Sequence, residues 1–351
     1  MGQSGLDFIE IDGSYGEGGG QILRTALAFS ALLKRPIRVH HIRAERKNPG
    51  LGHQHVAAVE ALAKICEAEV EGGRVGSDRL TFIPREIHTG NYRFEITTAG
   101  AVTLLLQALL LPLCLSPGRS RLTLIGGTHV AWSPPFHYMS EVLFPVLGLL
   151  GVPAKASIER WGWYPRGGGR AVAEILPGSE LKPISLIDRG SLRRVRGLSA
   201  ISHLPGHVAE RQKNYAVRRI AEEMKLEAEI TLFFDAPAIA PGAFFFLLAE
   251  FEKVTAGFSS LGERGKRAED VAKEAVDSLE EYMKSDGCVD PHLADQLLPF
   301  MALAGGNSAF TTTRVTNHLL TNIWVIQRFL EVKVSLQGEE GRSGLAEFSN
   351  K

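Results

Sequence analysis

The sequence predicts an α/β protein with α+β-like layers: three repeated units, each of two helices on a small mixed sheet, plus a smaller inserted α/β domain. Three observations carry this. The order strand, helix, strand, helix, strand, strand recurs along the 351 residues. Within each recurrence, β-branched runs of period two alternate with apolar residues at helical spacing, so both helices of a unit fall on one face of its sheet. Residues 186–282 depart from the pattern and form a segment long enough to carry its own core. The expected division is a core of residues 1–185 and 283–351 with residues 186–282 inserted.

The elements follow in order. The first unit opens with the alternating strand "FIEID", then a glycine-rich turn into the helix "QILRTALAFSALL", the strand "PIRVHHIRA", the helix "HQHVAAVEALAKICEA" and strands through "VEGG" and "LTFIP". The second runs "YRFEIT", "AVTLLLQALLLPLCL", "SRLTLIGGT", a Pro-Pro loop, "FHYMSEVLFPVLGLLG", then "AKASIERWG" and "RAVAEILP". The third shows "LADQLLPFMALAGG", "SAFTTTRVT", "HLLTNIWVIQRFL" and "VKVSLQG". The intervening segment carries "VRGLSAISHLP", the amphipathic "HVAERQKNYAVRRIAEEMK", the strands "EITLFF" and "AFFFLLAEF", and the helix "KRAEDVAKEAVDSLEEYMK".

Lysine and arginine balance aspartate and glutamate at 39 each, so no global field draws in a polyanion and any nucleic-acid contact must be a local cluster. Cys66, Cys114 and Cys288 form no C-x-x-C pair and suit core thiols in a reducing compartment. The N-terminal stretch lacks a basic head followed by an apolar run. The longest apolar run is broken by Gln107 and Pro112 and falls short of the roughly 20 residues of a membrane span. A cytosolic location without membrane contact is expected.

In "DGSYGEGGGQILR", successive glycines between strand and helix let the backbone approach an anion at the helix's free N–H groups. The spacing is not a dinucleotide fingerprint, because Gln21 stands where the last glycine belongs, and the chain has no Walker loop. A tight turn alone would also explain the glycines. Glu17 favours the phosphate reading, since a carboxylate there would repel the ligand unless a divalent cation lay between them; Glu17 is the candidate metal ligand. In "HIRAERKNPGLGHQH", Arg43, Arg46 and Lys47 leave a strand just before His53, Gln54 and His55 open a helix. Histidines two apart on a helix diverge and lack further ligands, which disfavours zinc. A solvated basic edge is the simple alternative; beside the glycine loop the cluster suits an RNA end or another phosphorylated substrate.

"GWYPRGGGR", with Arg166 and Arg170, fits a hairpin turn as well as a basic site. "KSDG" matches the short pattern of a nucleotide-accepting lysine at Lys284, but no companion motif is present, and Gly287 reads better as a helix C-cap. The histidine of "TRVTNHLLTN", taken alone, reads as a half-buried side chain at a helix start.

Together, "DGSYGEGGGQILR", "RKNPGLGHQH", "ISHLPGHVAER", "ADQLLPFMALAGG" and "TNHLLTNIWVIQRFL" resemble, in order and over nearly the whole chain, the RNA 3'-terminal phosphate cyclase family. The resemblance implies that His318 is the nucleophile that takes AMP from ATP. AMP would pass to an RNA 3'-phosphate, and the neighbouring 2'-hydroxyl would displace it, leaving a 2',3'-cyclic phosphate. It further implies that Glu17 holds Mg2+ or Mn2+ on the ATP phosphates, with Gln54 and His55 close to them. Gln107, Pro134, Asp295 and Gln296 would line the adenosine pocket, and Arg24, Arg43 and Arg46 would face phosphates of ATP or RNA. His292, in "PHLADQ", stands where family members can place a tyrosine against adenine. Two other classes compete: a non-catalytic ribosome-assembly relative, which lacks the nucleophilic histidine, and a small-molecule transferase such as the enolpyruvyl transferases of related architecture.

Overall fold

The computed structural model describes residues 6–178 and 180–349. Four four-stranded sheets organise them, and three share one topology. In the first unit, β1 (Ile9–Asp12) pairs parallel with β2 (Ile37–His40), which pairs antiparallel with β4 (Leu80–Ile83), and β3 (Glu69–Glu71) closes the order β1-β2-β4-β3. Helices α1 (Gly20–Leu33) and α2 (His53–Cys66) belong to this unit.

The second unit repeats the order as β5 (Asn91–Glu95), β6 (Ser120–Gly126), β8 (Gly169–Ile175) and β7 (Ala154–Arg160). Its first helix is α3 (Val102–Cys114). Its second is continuous from α4 (Phe136–Tyr138) through a π turn (Met139–Leu143) into α5 (Phe144–Leu149).

The third unit contains a difference from the sequence reading. Its first strand is β9 (Ser185–Leu186), which lies before the inserted segment and pairs parallel with β14 (Asn307–Thr312). The chain returns beside β14 at Val289, whose bridge to Thr312 is again parallel. The insertion therefore interrupts one edge strand instead of joining two complete units. Helix α8 (Pro291–Met301), β14, helix α9 (Asn317–Phe329), β15 (Lys333–Gln337) and β16 (Gly344–Ser349) complete the unit in the order β15-β16-β14-β9.

Between the two halves of that edge strand lie β10 (Leu192–Ser202), α6 (His207–Arg219), β11 (Ala228–Phe233), β12 (Gly242–Phe251), β13 (Thr255–Leu261) and α7 (Ala268–Lys284), with sheet order β11-β10-β12-β13. Strand β12 is buried almost throughout because both of its faces are covered. Helix α7 packs on one side, and on the other the Trp163 indole donates to Ser202 Oγ at 2.9 Å and Thr255 Oγ1 donates to Glu141 O at 3.1 Å. The insert thus shares its apolar core with the second unit.

One sequence expectation is corrected at the end of α7. The helix stops at Lys284 with Ser285 extended, at φ −96° and ψ 151°, and Gly287 is outside the left-handed region, so it does not cap the helix. What that position requires is room: a Cβ on Gly287 would lie 2.3 Å from Thr313 N. Lys284 itself is paired on the surface with Glu280.

Candidate functional site

The three units meet through their helices: α1 packs against α2, α3 and α9, and α9 against α8. The first turns of α1, α2, α8 and α9 open into one cleft of about 860 Å³. Gly20 and Gln21 come from α1, Gln54 and His55 from α2, His292 from α8 and His318 from α9. The positive dipole ends of four helices so converge on one space, and the starts of α1 and α2, which no side chain caps, offer their N–H groups to an anion there. The twelve residues that the family resemblance assigned to the site line it, Glu17, Arg24, Arg43, Arg46, Gln54, His55, Gln107, Pro134, His292, Asp295, Gln296 and His318, whereas Lys47, His53, Arg166, Arg170 and Lys284 do not.

His318 follows the N-cap Thr316, whose hydroxyl accepts the Leu319 amide at 3.1 Å. Its side chain is 49% exposed, so the imidazole faces the cleft instead of filling an apolar interior. Nδ1 lies 2.7 Å from Gln21 Oε1, and Gln21 Nε2 donates to Asp295 Oδ2 at 3.3 Å. An amide oxygen can only accept, so Gln21 favours the tautomer with the proton on Nδ1 and leaves the Nε2 lone pair free. Burial lowers the His318 pKa below 6.5 despite the opposing pull of Glu17, and Arg24 adds to the lowering. The ring is therefore neutral near pH 7. Burial, followed by the neighbouring Asp290, raises Asp295 to about 8.

Glu17 sits in the glycine turn, where Gly16 and Gly18 adopt φ of +55° and +59°. Its amide donates to Thr321 Oγ1 at 3.1 Å, which ties the turn to α9. One carboxylate oxygen pairs with Arg46. The other, Oε2, lies 3.3 Å from His318 Nδ1 but is buried without a hydrogen-bond partner among the described residues. A buried, unpartnered carboxylate oxygen at a phosphate-sized cleft suits a hard divalent cation that takes its remaining ligands from phosphate and water. Arg46 also donates to Glu17 O at 2.8 Å, and Arg43, in a left-handed conformation at φ 53°, donates to Gly50 O at 2.8 Å. Burial lowers Arg24 to about 10, so it remains cationic at neutral pH.

His53 and His55 diverge as the helical spacing requires: His53 is exposed and His55 is buried. His55 Nδ1 accepts the Gly52 amide at 2.9 Å, and burial, then Arg24 and Arg43, depress its pKa to about 3. The neutral ring consequently carries its proton on Nε2. That atom faces the start of α1, where a Cβ on Gly20 would lie 2.2 Å away. Glycine at position 20 is what lets this donor reach the cleft.

The lining also includes Gln107, Pro134, His292, Asp295 and Gln296. Among the described residues, Gln107 Nε2 reaches only Met139 Sδ, at 3.8 Å, and Gln296 Oε1 is buried with no partner. Beneath them the N-cap Asp290 accepts the amides of His292 and Leu293 at 2.9 and 3.1 Å and the Tyr138 hydroxyl at 2.8 Å, which fixes the start of α8. The His292 ring meets Tyr138 edge to face at 6.4 Å between centroids.

The family model described as "RNA 3'-terminal phosphate cyclase" matches residues 15–336. The chain belongs to the RNA 3'-terminal phosphate cyclase family. It is 44% identical to the RNA 3'-terminal phosphate cyclase of Methanopyrus kandleri over 97% of this chain and 99% of that one. With the proteins of the same name from Staphylothermus marinus and Thermococcus kodakarensis it shares 45% and 42% identity, each over 97% of both chains. Among solved structures, the enolpyruvyl transferase NikO from Streptomyces tendae aligns with 97% of this chain and 48% of its own at 11% identity and a TM-score of 0.37, too distant to bear on fold or function.

Within this cyclase-family cleft, sequence reasoning passed over three side chains that organise the others. Gln21 joins His318 to Asp295. Asn322 accepts the Thr25 hydroxyl at 2.8 Å and donates to Asp295 O at 2.8 Å. Thr321 receives the Glu17 amide. Helical spacing held the signal: Gln21 and Thr25 are four apart on α1, beside Arg24, and Asn322 follows His318 by four on α9.

Proposed function

We propose that this chain is an ATP-dependent RNA 3'-phosphate cyclase working through a covalent adenylate on His318. The observation that carries the reading is the setting of that ring. Nδ1 is held by Gln21 and Nε2 is left free, in a cleft bounded by four helix N-termini and Arg24, Arg43 and Arg46.

Nε2 attacks the α-phosphorus of ATP, the bond to the bridging oxygen breaks, and pyrophosphate leaves. The ring keeps its proton on Nδ1, and the positive charge it gains is stabilised by Gln21 Oε1 and by Glu17 at 3.3 Å. The arginines, the helix ends and the His55 N–H meet the charge gathering on the departing pyrophosphate. Glu17 Oε2 would hold Mg2+ or Mn2+, which supplies further neutralisation of phosphate charge. Gln296 Oε1, lacking a donor of its own, suits the exocyclic amine of adenine against Pro134 and His292.

An oxygen of the RNA 3'-phosphate next attacks the phosphorus of the adenylate, releasing Nε2 and forming an RNA–AMP anhydride. The vicinal 2'-hydroxyl then attacks the terminal RNA phosphorus, loses its proton, and expels AMP. A phosphate monoester lacks a good leaving group, and the anhydride provides one. The attacking hydroxyl is already in place, where effective molarities reach about 10⁵ to 10⁸ M. A cytoplasmic setting accords with ATP and RNA as substrates and with three buried, free cysteines.

The test is incubation with α-labelled ATP and metal. Wild type should retain label, His318→Ala should lose it, and 3'-phosphorylated RNA should discharge it while phosphatase-treated RNA does not. Label persisting in His318→Ala refutes the mechanism. A scaffold or an enolpyruvyl-type transferase would take no label at all.

A further inference from the structure

The cleft accounts for nucleotide and phosphates but leaves the bases of an RNA strand without a surface. Two rings of the second unit stand apart from every other large apolar side chain among the described residues in exposure: Trp132 at 99% and Tyr164 at 78%. They sit on adjoining loops, since the Thr128 amide donates to Gly162 O at 3.0 Å, the Gly162 amide donates to Thr128 Oγ1 at 2.8 Å, and His129 bridges Trp163. Exposure is not a general habit of this region, because Trp161 and Trp163 are buried and Trp161 stacks on His129 at 4.1 Å.

Trp132 holds a left-handed backbone at φ 63°, which is unfavourable for a bulky residue, and its ring packs against nothing that would compensate. Its loop is firm, with Ser133 Oγ donating to Val130 O at 2.9 Å and prolines at 134 and 135. The ring stands at the mouth of the cleft that contains His318. On the Tyr164 loop, Arg166 is exposed, and no carboxylate pairs with it among the described residues. Arg160 and Arg170 of the same hairpin are engaged by Gly168 O and Glu159.

We propose that Trp132 and Tyr164 form a stacking face for the bases of single-stranded RNA just upstream of the 3'-phosphate, with Arg166 on the backbone. The inference rests on the cyclase reading: a 3'-phosphate delivered to His318 obliges the rest of the strand to leave through the mouth where Trp132 stands. Every base offers a π face, so aromatic platforms hold single strands without reading sequence, and an arginine beside them takes a phosphate. With a formal net charge of zero, the chain has no overall field to do this work. The adenine of ATP is the other nucleobase the ring could meet. An almost wholly exposed indole favours the strand outside the cleft over a base enclosed between Gln107, Pro134 and Gln296.

The test uses the full chain, a 5'-fluorescent, 3'-phosphorylated oligonucleotide of about ten nucleotides, a length within single-strand site sizes, and RNA-free labelling by α-labelled ATP. Trp132→Leu, which keeps an apolar side chain without a ring system, should weaken oligonucleotide binding about 5- to 150-fold, the range for losing one stacked base. Trp132→Phe should restore most of it, Tyr164→Ala should weaken it further, and the ATP dependence of RNA-free labelling should stay as in wild type. Oligonucleotide affinity within twofold of wild type in Trp132→Leu overturns the proposal. So does a raised ATP requirement with unchanged RNA affinity, which would assign the ring to the nucleotide. A wild-type chain that neither labels nor binds the oligonucleotide brings down the cyclase reading itself.

Discussion

Gln21 carries no charge and attacks nothing, yet replacing it should slow the labelling of His318 measurably. Gln21→Leu removes the 2.7 Å bond to Nδ1 and the 3.3 Å bond to Asp295 while keeping most of the side-chain volume. A single neutral hydrogen bond contributes about 0.5–1.5 kcal/mol net, so the first step should slow about 2- to 12-fold, with the ring free to take either tautomer. Gln21→Glu separates tautomer control from simple packing. A carboxylate at that point would still accept from Nδ1, but would raise the His318 pKa and keep a proton on Nε2. In wild type the pKa is lowered below 6.5, so labelling should hold steady down to that region and fall only beneath it. In Gln21→Glu the fall should begin at higher pH, with activity recovering as pH rises. The assay is single-turnover incorporation of α-labelled ATP from pH 5 to 9, read as rate against pH. A Gln21→Leu rate equal to wild type, or a Gln21→Glu profile that does not move, would refute the tautomer argument.

Three further outcomes follow from the same geometry. Asp295 is raised to about 8 from an ordinary 3.8, so the folded protein binds a proton there that the unfolded chain does not, and the associated stability is complete below 3.8 and lost as pH rises through 8. Asp295→Asn should therefore show a flatter melting temperature between pH 6 and 9 than wild type, checked by thermal denaturation across that range. Gly20→Ala would set a methyl 2.2 Å from His55 Nε2; it should raise the ATP concentration needed for half-maximal labelling at least several-fold while leaving the circular dichroism spectrum unchanged. Lys284 is exposed and paired with Glu280, so Lys284→Ala should label at the wild-type rate; loss of label there would move the acceptor to the lysine.

The parts of the site that could be read in the sequence are the parts built from short local stretches. A glycine turn before α1, a basic stretch before α2 and a histidine after an N-capping threonine each announce a helix start, and a helix start offers N–H groups whatever the fold. The sequence could not show that these three starts and that of α8 open into one cleft, because that depends on α1 packing against α2, α3 and α9. For the same reason Gln21, Thr321 and Asn322 were passed over. Their partners lie 297, 304 and 297 residues away, and an uncharged amide or hydroxyl gives no sign of what it will meet. Trp132 escaped notice differently: a tryptophan is assigned to the core by default, and only the folded structure shows it outside.

The point where the repeat pattern lost the third unit's first strand has a physical cause as well. Two residues, Ser185 and Leu186, are too few to display a period of two, and the other half of the strand returns only at Val289. In the order β15-β16-β14-β9, β9 is at the edge, so a break there leaves β14 still paired with β16 on its other side. The neighbouring β14 keeps its register to both fragments, with Ala309 opposite Ser185 and Thr312 opposite Val289. A central strand cut in the same way would have lost pairing on two sides, and the helices it orders would have lost their support. An edge strand could be opened to admit β10 to α7 while α8 and α9, and with them Asp295 and His318, kept their positions against α1.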